Sequence, residues 1–180
     1  MKFEKLPLEG AYLIEPDKII DHRGFFGRIW CEKEFSKFGL KTNLVQSNVS
    51  FSKKKGTLRG LHFQRQHAAE TKLVRCTRGR IFDVIVDLRP KSRTFKKWFG
   101  AELSSENMRM VYVPENFAHG FITLEDNTEI YYLVTEFYNR ELESGLRYND
   151  PELAIDWPIE VKEISEKDNS HLDFKLENIL

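Results

Sequence analysis

Cysteine is scarce: Cys31 and Cys76 are the two in 180 residues, and they form no Cys-x-x-Cys pair. That excludes a disulfide framework and a cysteine-built metal site, so both thiols are expected to be reduced, one of them on a buried strand. Net charge is also missing, because 28 Lys and Arg balance 28 Asp and Glu. A nucleic-acid binder that relies on a basic surface is therefore not expected, although a small anion needs only a local cluster of cations. No stretch approaches the roughly 20 apolar residues of a membrane helix. The opening MKFEKLPLEGAYLIEPDK has no apolar run of signal-peptide length. The expectation is a cytoplasmic protein with no membrane partner. Internal repeats, low-complexity tracts, linkers and a glycine-rich dinucleotide motif are absent too. So is the His-x-His pair of metal-binding barrels, and His62-x4-His67-x2-Glu70 is not a zincin spacing. Neither a nicotinamide nor a metal cofactor is expected.

Aromatic residues are plentiful, with 14 Phe, 6 Tyr and 3 Trp, many in short runs rich in Val, Ile and Phe. RIFDVIVDLRP (80–90) alternates, with Phe82, Val84, Val86 and Leu88 on one face and Asp83, Ile85 and Asp87 on the other. KLVRC precedes it through TRGR, whose glycine suggests a hairpin. Residues 108–138 read as three strands separated by a proline turn and an acidic turn, and GAYLIEPDKIIDHRGFFGRIW as two more. Helical patterns are confined to 31–40, where Phe35 and Phe38 precede a glycine stop, and to one turn at 104–108. The tail from about 158 is charged and reads mostly as loop, with FKLENIL docking back. One all-β domain over 1–180, a sandwich or barrel with a few short helices, is the expected class.

LRGLHFQRQ sets His62 between apolar neighbours, as a structural histidine, a metal ligand or a base. Arg59, Arg65, Lys72 and Arg75 surround it in sequence. They suit a phosphate if several line one cavity, and a solvated basic face if they do not. His119 follows the proline turn of PENFAHGF, placed for a barrel mouth or for the core. Of the adjacent Tyr131 and Tyr132, one must face inward on a strand. A packing role is the plain alternative, but opposite a histidine a tyrosine becomes an acid. Asp168 in SEKD acquires meaning only if it reaches a histidine and fixes its tautomer.

In order and spacing, DHRGFF, QSNVSFSKKKGTLRGLHFQ, KLVRCTRGRIFDVIVDLR, VPENFAHGF, YNDPELAIDWP and SEKD resemble the dTDP-4-dehydrorhamnose 3,5-epimerase family over residues 4 to 168. The resemblance implies a cupin-type jelly-roll barrel that forms a homodimer with exchanged strands and acts on a nucleotide sugar without cofactor. It implies His62 as general base, Asp168 as its carboxylate partner, Tyr132 as general acid and Lys72 beside the developing enolate. Arg59 and His119 match residues lining the sugar and phosphate pocket, and Tyr138 matches an aromatic beside the sugar. Gln46 and Asn48 match a pair near the nucleotide, and Arg23 and Phe25 match residues that reach the nucleotide across the dimer. These types suit a 4-keto sugar, whose C3 and C5 protons are acidic. A base removes one, a cation steadies the enolate, and an acid on the far side returns a proton.

One position departs from the pattern. Where the family carries an acidic residue two places after RGFF, facing the nucleobase, this chain has Arg28. A carboxylate accepts the thymine N3–H, whereas an arginine only donates. A CDP- or GDP-linked 4-keto sugar is therefore an alternative to a dTDP sugar. Separately, relatives with the same base and acid invert C3 or C5 alone, and a module that binds without turnover is the remaining alternative.

Overall fold

A computed structural model describes residues 1–179. Its N-terminal strands are β1 (Lys2–Lys5), β2 (Tyr12–Glu15), β3 (Lys18–Asp21) and β4 (Gly24–Gly27), followed by the short helix α1 (Glu32–Ser36). The centre of the chain supplies β5 (Gln46–Ser52), β6 (Thr57–Gln64), β7 (Lys72–Arg78), β8 (Arg80–Asp87) and β9 (Trp98–Ser104). Next come β10 (Met110–Val113), β11 (Phe117–Thr123) and β12 (Thr128–Val134). The last part holds β13 (Glu143–Gly145), β14 (Glu163–Ile164), α2 (Glu166–Asn169) and α3 (Leu176–Ile179).

Two sheets face each other. The first runs β1-β2-β10-β7-β12-β5 and the second β13-β6-β11-β8-β9, with β14 lying parallel to β6. From β5 to β8 and again from β10 to β12, each strand lies in the opposite sheet from the one before it, as in a jelly roll. The hairpin expected at TRGR does not form. β7 and β8 lie in different sheets, joined through Gly79 at φ +75°. Alternation explains why: Val74 and Cys76 of β7 meet Ile81 and Ile85 of β8 in one core between the sheets. A hairpin would have set these residues side by side on one face, leaving the opposing sheet without partners.

Both outer faces are covered as well. Leu61, Phe63, Val84, Val86 and Leu88 pack under the C-terminal tail through Leu146, Leu153 and Phe174. Phe35 of α1 covers Tyr12, Ile14, Leu73 and Met110 on the first sheet. The docking expected of FKLENIL is therefore seen at buried Phe174, while its last residue, Leu180, lies outside the described residues. The tail is less loop-like than expected, since it carries β14 and α2.

Three local expectations change. The segment from Gly10 to Trp30 forms three strands rather than two, because β3 and β4 pair only with each other as a separate arm. The helix in 31–40 shrinks to Glu32–Ser36. Residues 104–108 form a turn rather than helix, in which the Ser104 and Asn107 side chains each accept the other's backbone N–H. Asn and Ser favour such local closures over helix.

Candidate active site

Residues of both sheets line a polar cleft of two adjoining cavities, about 330 and 210 Å³, which share His62, Lys72 and Tyr132. The second sheet contributes Arg59, His62 and Gln64 from β6 and His119 from β11. The first contributes Gln46, Asn48 and Ser50 from β5, Lys72 from β7 and Tyr132 from β12.

Strand parity alone would point Arg59 and His62 to opposite faces. A bulge solves this: β6 pairs His62 with His119 and Arg59 with Phe121, so three steps on β6 oppose two on β11. Of the adjacent tyrosines Tyr132 is the inward one, packed on the inter-sheet core. Parity also splits the cations near His62. Arg75 is three residues from Lys72 on β7 and faces away, and Arg65 lies past the end of β6, so neither lines the cavities. The basic cluster of the sequence reduces here to Arg59 and Lys72.

SEKD is the start of α2 rather than surface loop. The Ser165 hydroxyl caps the turn by accepting the Asp168 N–H at 3.0 Å, which aims a buried carboxylate at β6. Asp168 Oδ1 lies 2.8 Å from His62 Nε2, and Oδ2 accepts the Gly60 N–H at 3.0 Å. Burial alone would raise this carboxyl. The hydrogen bond and charge of His62, with the Gly60 and Ser165 donors, override burial and hold it at about 2. An ionised Asp168 makes Nε2 the protonated nitrogen of neutral His62, and the free lone pair is on Nδ1.

Lys72 is buried and paired with Glu70 at 3.1 Å. Glu70 also accepts from Gln64 Nε2 at 3.1 Å. Burial and then the Glu70 charge raise the Tyr132 phenol above its ordinary value, against the opposing pull of Arg59. His119 is buried with Nε2 2.7 Å from Asp83 Oδ2. At the rim, Tyr138 donates to Glu143 at 2.8 Å, its backbone N–H donates to Gln46, and Gln46 donates to Asn48 at 3.3 Å.

Arg23, Phe25 and Arg28 lie elsewhere. Arg23 and Phe25 sit on the exposed arm, Arg23 held by Asp21, while Arg28 follows the arm and donates to Glu34 of α1 at 3.2 Å. None of the three lines the cleft of its own chain.

Sequence reading did not single out Glu143, Gln64, Asp83 or His171, and treated Glu70 only as a metal candidate. Two of them had a signal. Gln64 is two residues from His62, and Asp83 lies between inward Ile81 and Ile85, on the side facing the sandwich interior. Glu143 and His171 arrive from the tail and had none.

A compact cleft with a carboxylate-oriented imidazole on one wall and a protonated phenol and an ammonium on the other defines an enzyme that moves protons on a small polar ligand. Known proteins narrow that class. The family model described as dTDP-4-dehydrorhamnose 3,5-epimerase matches residues 5–175. The dTDP-4-dehydrorhamnose 3,5-epimerase of Methanothermobacter thermautotrophicus is 47% identical, over 94% of this chain and 92% of the relative. The crystal structure of the Elizabethkingia anophelis enzyme superposes with TM-score 0.95 at 45% identity, over 99% of this chain and 98% of that one. The Bacillus anthracis enzyme, solved with TDP and PPi bound, superposes with TM-score 0.93 at 44% identity, over 96% and 99%. The chain belongs to the dTDP-4-dehydrorhamnose 3,5-epimerase family, a family of isomerases with a cupin-like jelly-roll fold.

Proposed function

We propose that this chain inverts C3 and C5 of dTDP-4-keto-6-deoxyglucose through enolate intermediates. The observation that carries the proposal is the opposition across one cleft of His62 on the second sheet, paired with Asp168 of α2, and Tyr132 on the first. Inversion requires a proton to leave one face of a carbon and another to arrive on the opposite face, so base and acid must stand on different walls. His62 takes the proton alpha to the 4-keto group through Nδ1, and Asp168 stabilises the imidazolium that forms. The electron pair moves onto the carbonyl oxygen, where the Lys72 ammonium offsets the charge. Tyr132, kept protonated by burial, returns a proton to carbon from the other side. Nothing is oxidised or reduced over the cycle.

Arg59, His119, Gln46, Asn48 and Tyr138 hold the sugar and the diphosphate-linked nucleoside. Two chains form a homodimer in which the β3–β4 arm carries Arg23 and Phe25 to the partner's nucleotide. Support comes from the arm itself, whose Ile20 and Phe26 are 77% and 66% exposed and which pairs with no other strand. Arg28 spends its guanidinium on Glu34 rather than on the base, which leaves the dTDP assignment in place. No helix among the described residues is long and apolar enough to cross a membrane, and both cysteines are free, in keeping with a cytoplasmic enzyme.

The test is incubation in D2O with dTDP-4-keto-6-deoxyglucose and, in parallel, its CDP counterpart, followed by NMR and mass spectrometry. Two deuterons, at C3 and C5 of the dTDP sugar, are expected. One deuteron would reduce the activity to a single centre, exchange with the CDP sugar alone would make Arg28 a base selector, and no exchange with either would overturn the enzyme reading.

A further inference from the structure

His171 enters the site without a place in the proposed reaction. It follows α2, and its ring rests against Gly145 of β13, where any Cβ would collide with Nε2, Cε1 and Cδ2. Its Nε2 is buried, has no hydrogen-bond partner and lies 4.0 Å from Asp168 Oδ1. The His62 and His171 rings stand edge to face at 5.9 Å. Both imidazoles therefore converge on one carboxylate. Among the described residues, His62, Asp168 and His171 are the one group of three metal-ligating side chains with donor atoms all within 4.8 Å of one another. Zinc binds imidazole nitrogen and carboxylate oxygen at about 2.0–2.2 Å, so donors sharing it tetrahedrally lie about 3.3 Å apart. The 2.8 and 4.0 Å separations from Asp168 Oδ1 bracket that spacing.

We propose that His62, Asp168 and His171 form a binding site for a divalent transition cation of the zinc type, and that occupancy silences the base. The ion takes Nε2 of His62 in place of its hydrogen, and the imidazole's single proton moves to Nδ1. The nitrogen that would accept the substrate proton is then already protonated, and turnover stops until the ion leaves. Two imidazoles and one carboxylate are the donor set such ions favour over magnesium or calcium. The remaining coordination positions fall to water from the cleft. The inhibitory half rests on the epimerase reading, whereas binding itself does not.

The experiment titrates Co2+ into the metal-free full-length protein and follows its visible absorption, with Zn2+ as competitor, and measures epimerisation with and without Zn2+ and chelator. The wild type is expected to take one Co2+ per chain and to lose activity reversibly to Zn2+. His171→Phe keeps a ring against Gly145 and removes the nitrogen. It should bind Co2+ at least about tenfold more weakly, as loss of a ligand should cost no less than loss of an outer-shell partner, and should turn over without metal like the wild type. His171→Ala tests the same loss if the phenylalanine packs badly. Co2+ that fails to bind, or binds both variants as tightly as the wild type, overturns the site. Absent turnover in metal-free wild type with an intact Co2+ spectrum would instead sink the epimerase reading and leave the site standing.

Discussion

Asp168 is pulled in opposite directions by its surroundings: burial favours the neutral acid, while His62, the Gly60 N–H and Ser165 favour the anion and prevail. The folded carboxyl sits at about 2 against an ordinary 3.8, so its contribution to stability is complete above about pH 4 and is lost as pH falls toward 2. Asp168→Asn should flatten the stability profile in that window, as acid unfolding followed by circular dichroism would show. The same substitution leaves His62 without its anion and should lower kcat roughly 10²- to 10⁴-fold. An unchanged kcat would remove Asp168 from the mechanism. Tyr132 makes the complementary case. Tyr132→Phe should still wash deuterium into substrate through His62 while failing to invert it, whereas His62→Ala should abolish both. Because burial and the Glu70 charge raise the Tyr132 phenol of the free enzyme, the alkaline limb of wild-type kcat/KM that belongs to Tyr132 should lie above the ordinary tyrosine range near 10. His62, Lys72 and Asp168 stood out in the sequence because each lies in a compact motif, and Tyr132 because its strand follows FAHGF. His171 was not, since neither its position nor its neighbours in the tail say which strand it will meet.

At the scale of elements, the cleft depends on how closely β6 and β11 approach. Gly60 has φ +126°, and a Cβ there would stand 2.5 Å from Gly120 Cα and 2.9 Å from His119 O. Backbone cannot yield as a side-chain tip can. Gly60→Ala should therefore cost at least about 2 kcal/mol and lower Tm by roughly 4–8 °C. It should also lower kcat, because the Gly60 N–H holds Asp168. A calorimetric scan showing wild-type Tm would mean the strands separate more easily than this geometry allows. Alternation made β7, β8 and β10 to β12 visible in advance: β8 carries the faces expected of it, with Val84 and Val86 under the tail and Ile85 between the sheets. Pairing was not visible, because period-2 alternation says which way a side chain points and nothing about which sheet a strand joins. That is why Gly79 read as a hairpin turn. The bulge in β6 was equally hidden, since it exists only in register with β11.

For the whole molecule the unresolved balance is at the arm. Ile19 opposes Phe26 and Ile20 opposes Phe25, so successive pairs point to opposite sides of a two-stranded ribbon, and both sides are exposed. Such a ribbon is marginal on its own, and contiguous apolar surface of this kind marks a contact surface. Only its base is tied down, where Lys18 donates to the Glu106 carbonyl at 2.9 Å. The proposed homodimer would assign the two sides different work: the Ile19–Phe26 side would pack on the partner, and the Ile20–Phe25 side would meet the partner's nucleotide. Light scattering should then give twice 21.3 kDa for the wild type. A double Ile19→Ser, Phe26→Ser variant should fall to a single chain and lose activity. Phe25→Ala should remain a dimer and raise KM about tenfold, as loss of one base–aromatic stacking contact would. A fully active single chain, or a Phe25→Ala enzyme with unchanged KM, would return the arm to the role of a surface ribbon and confine the nucleotide to residues of one chain.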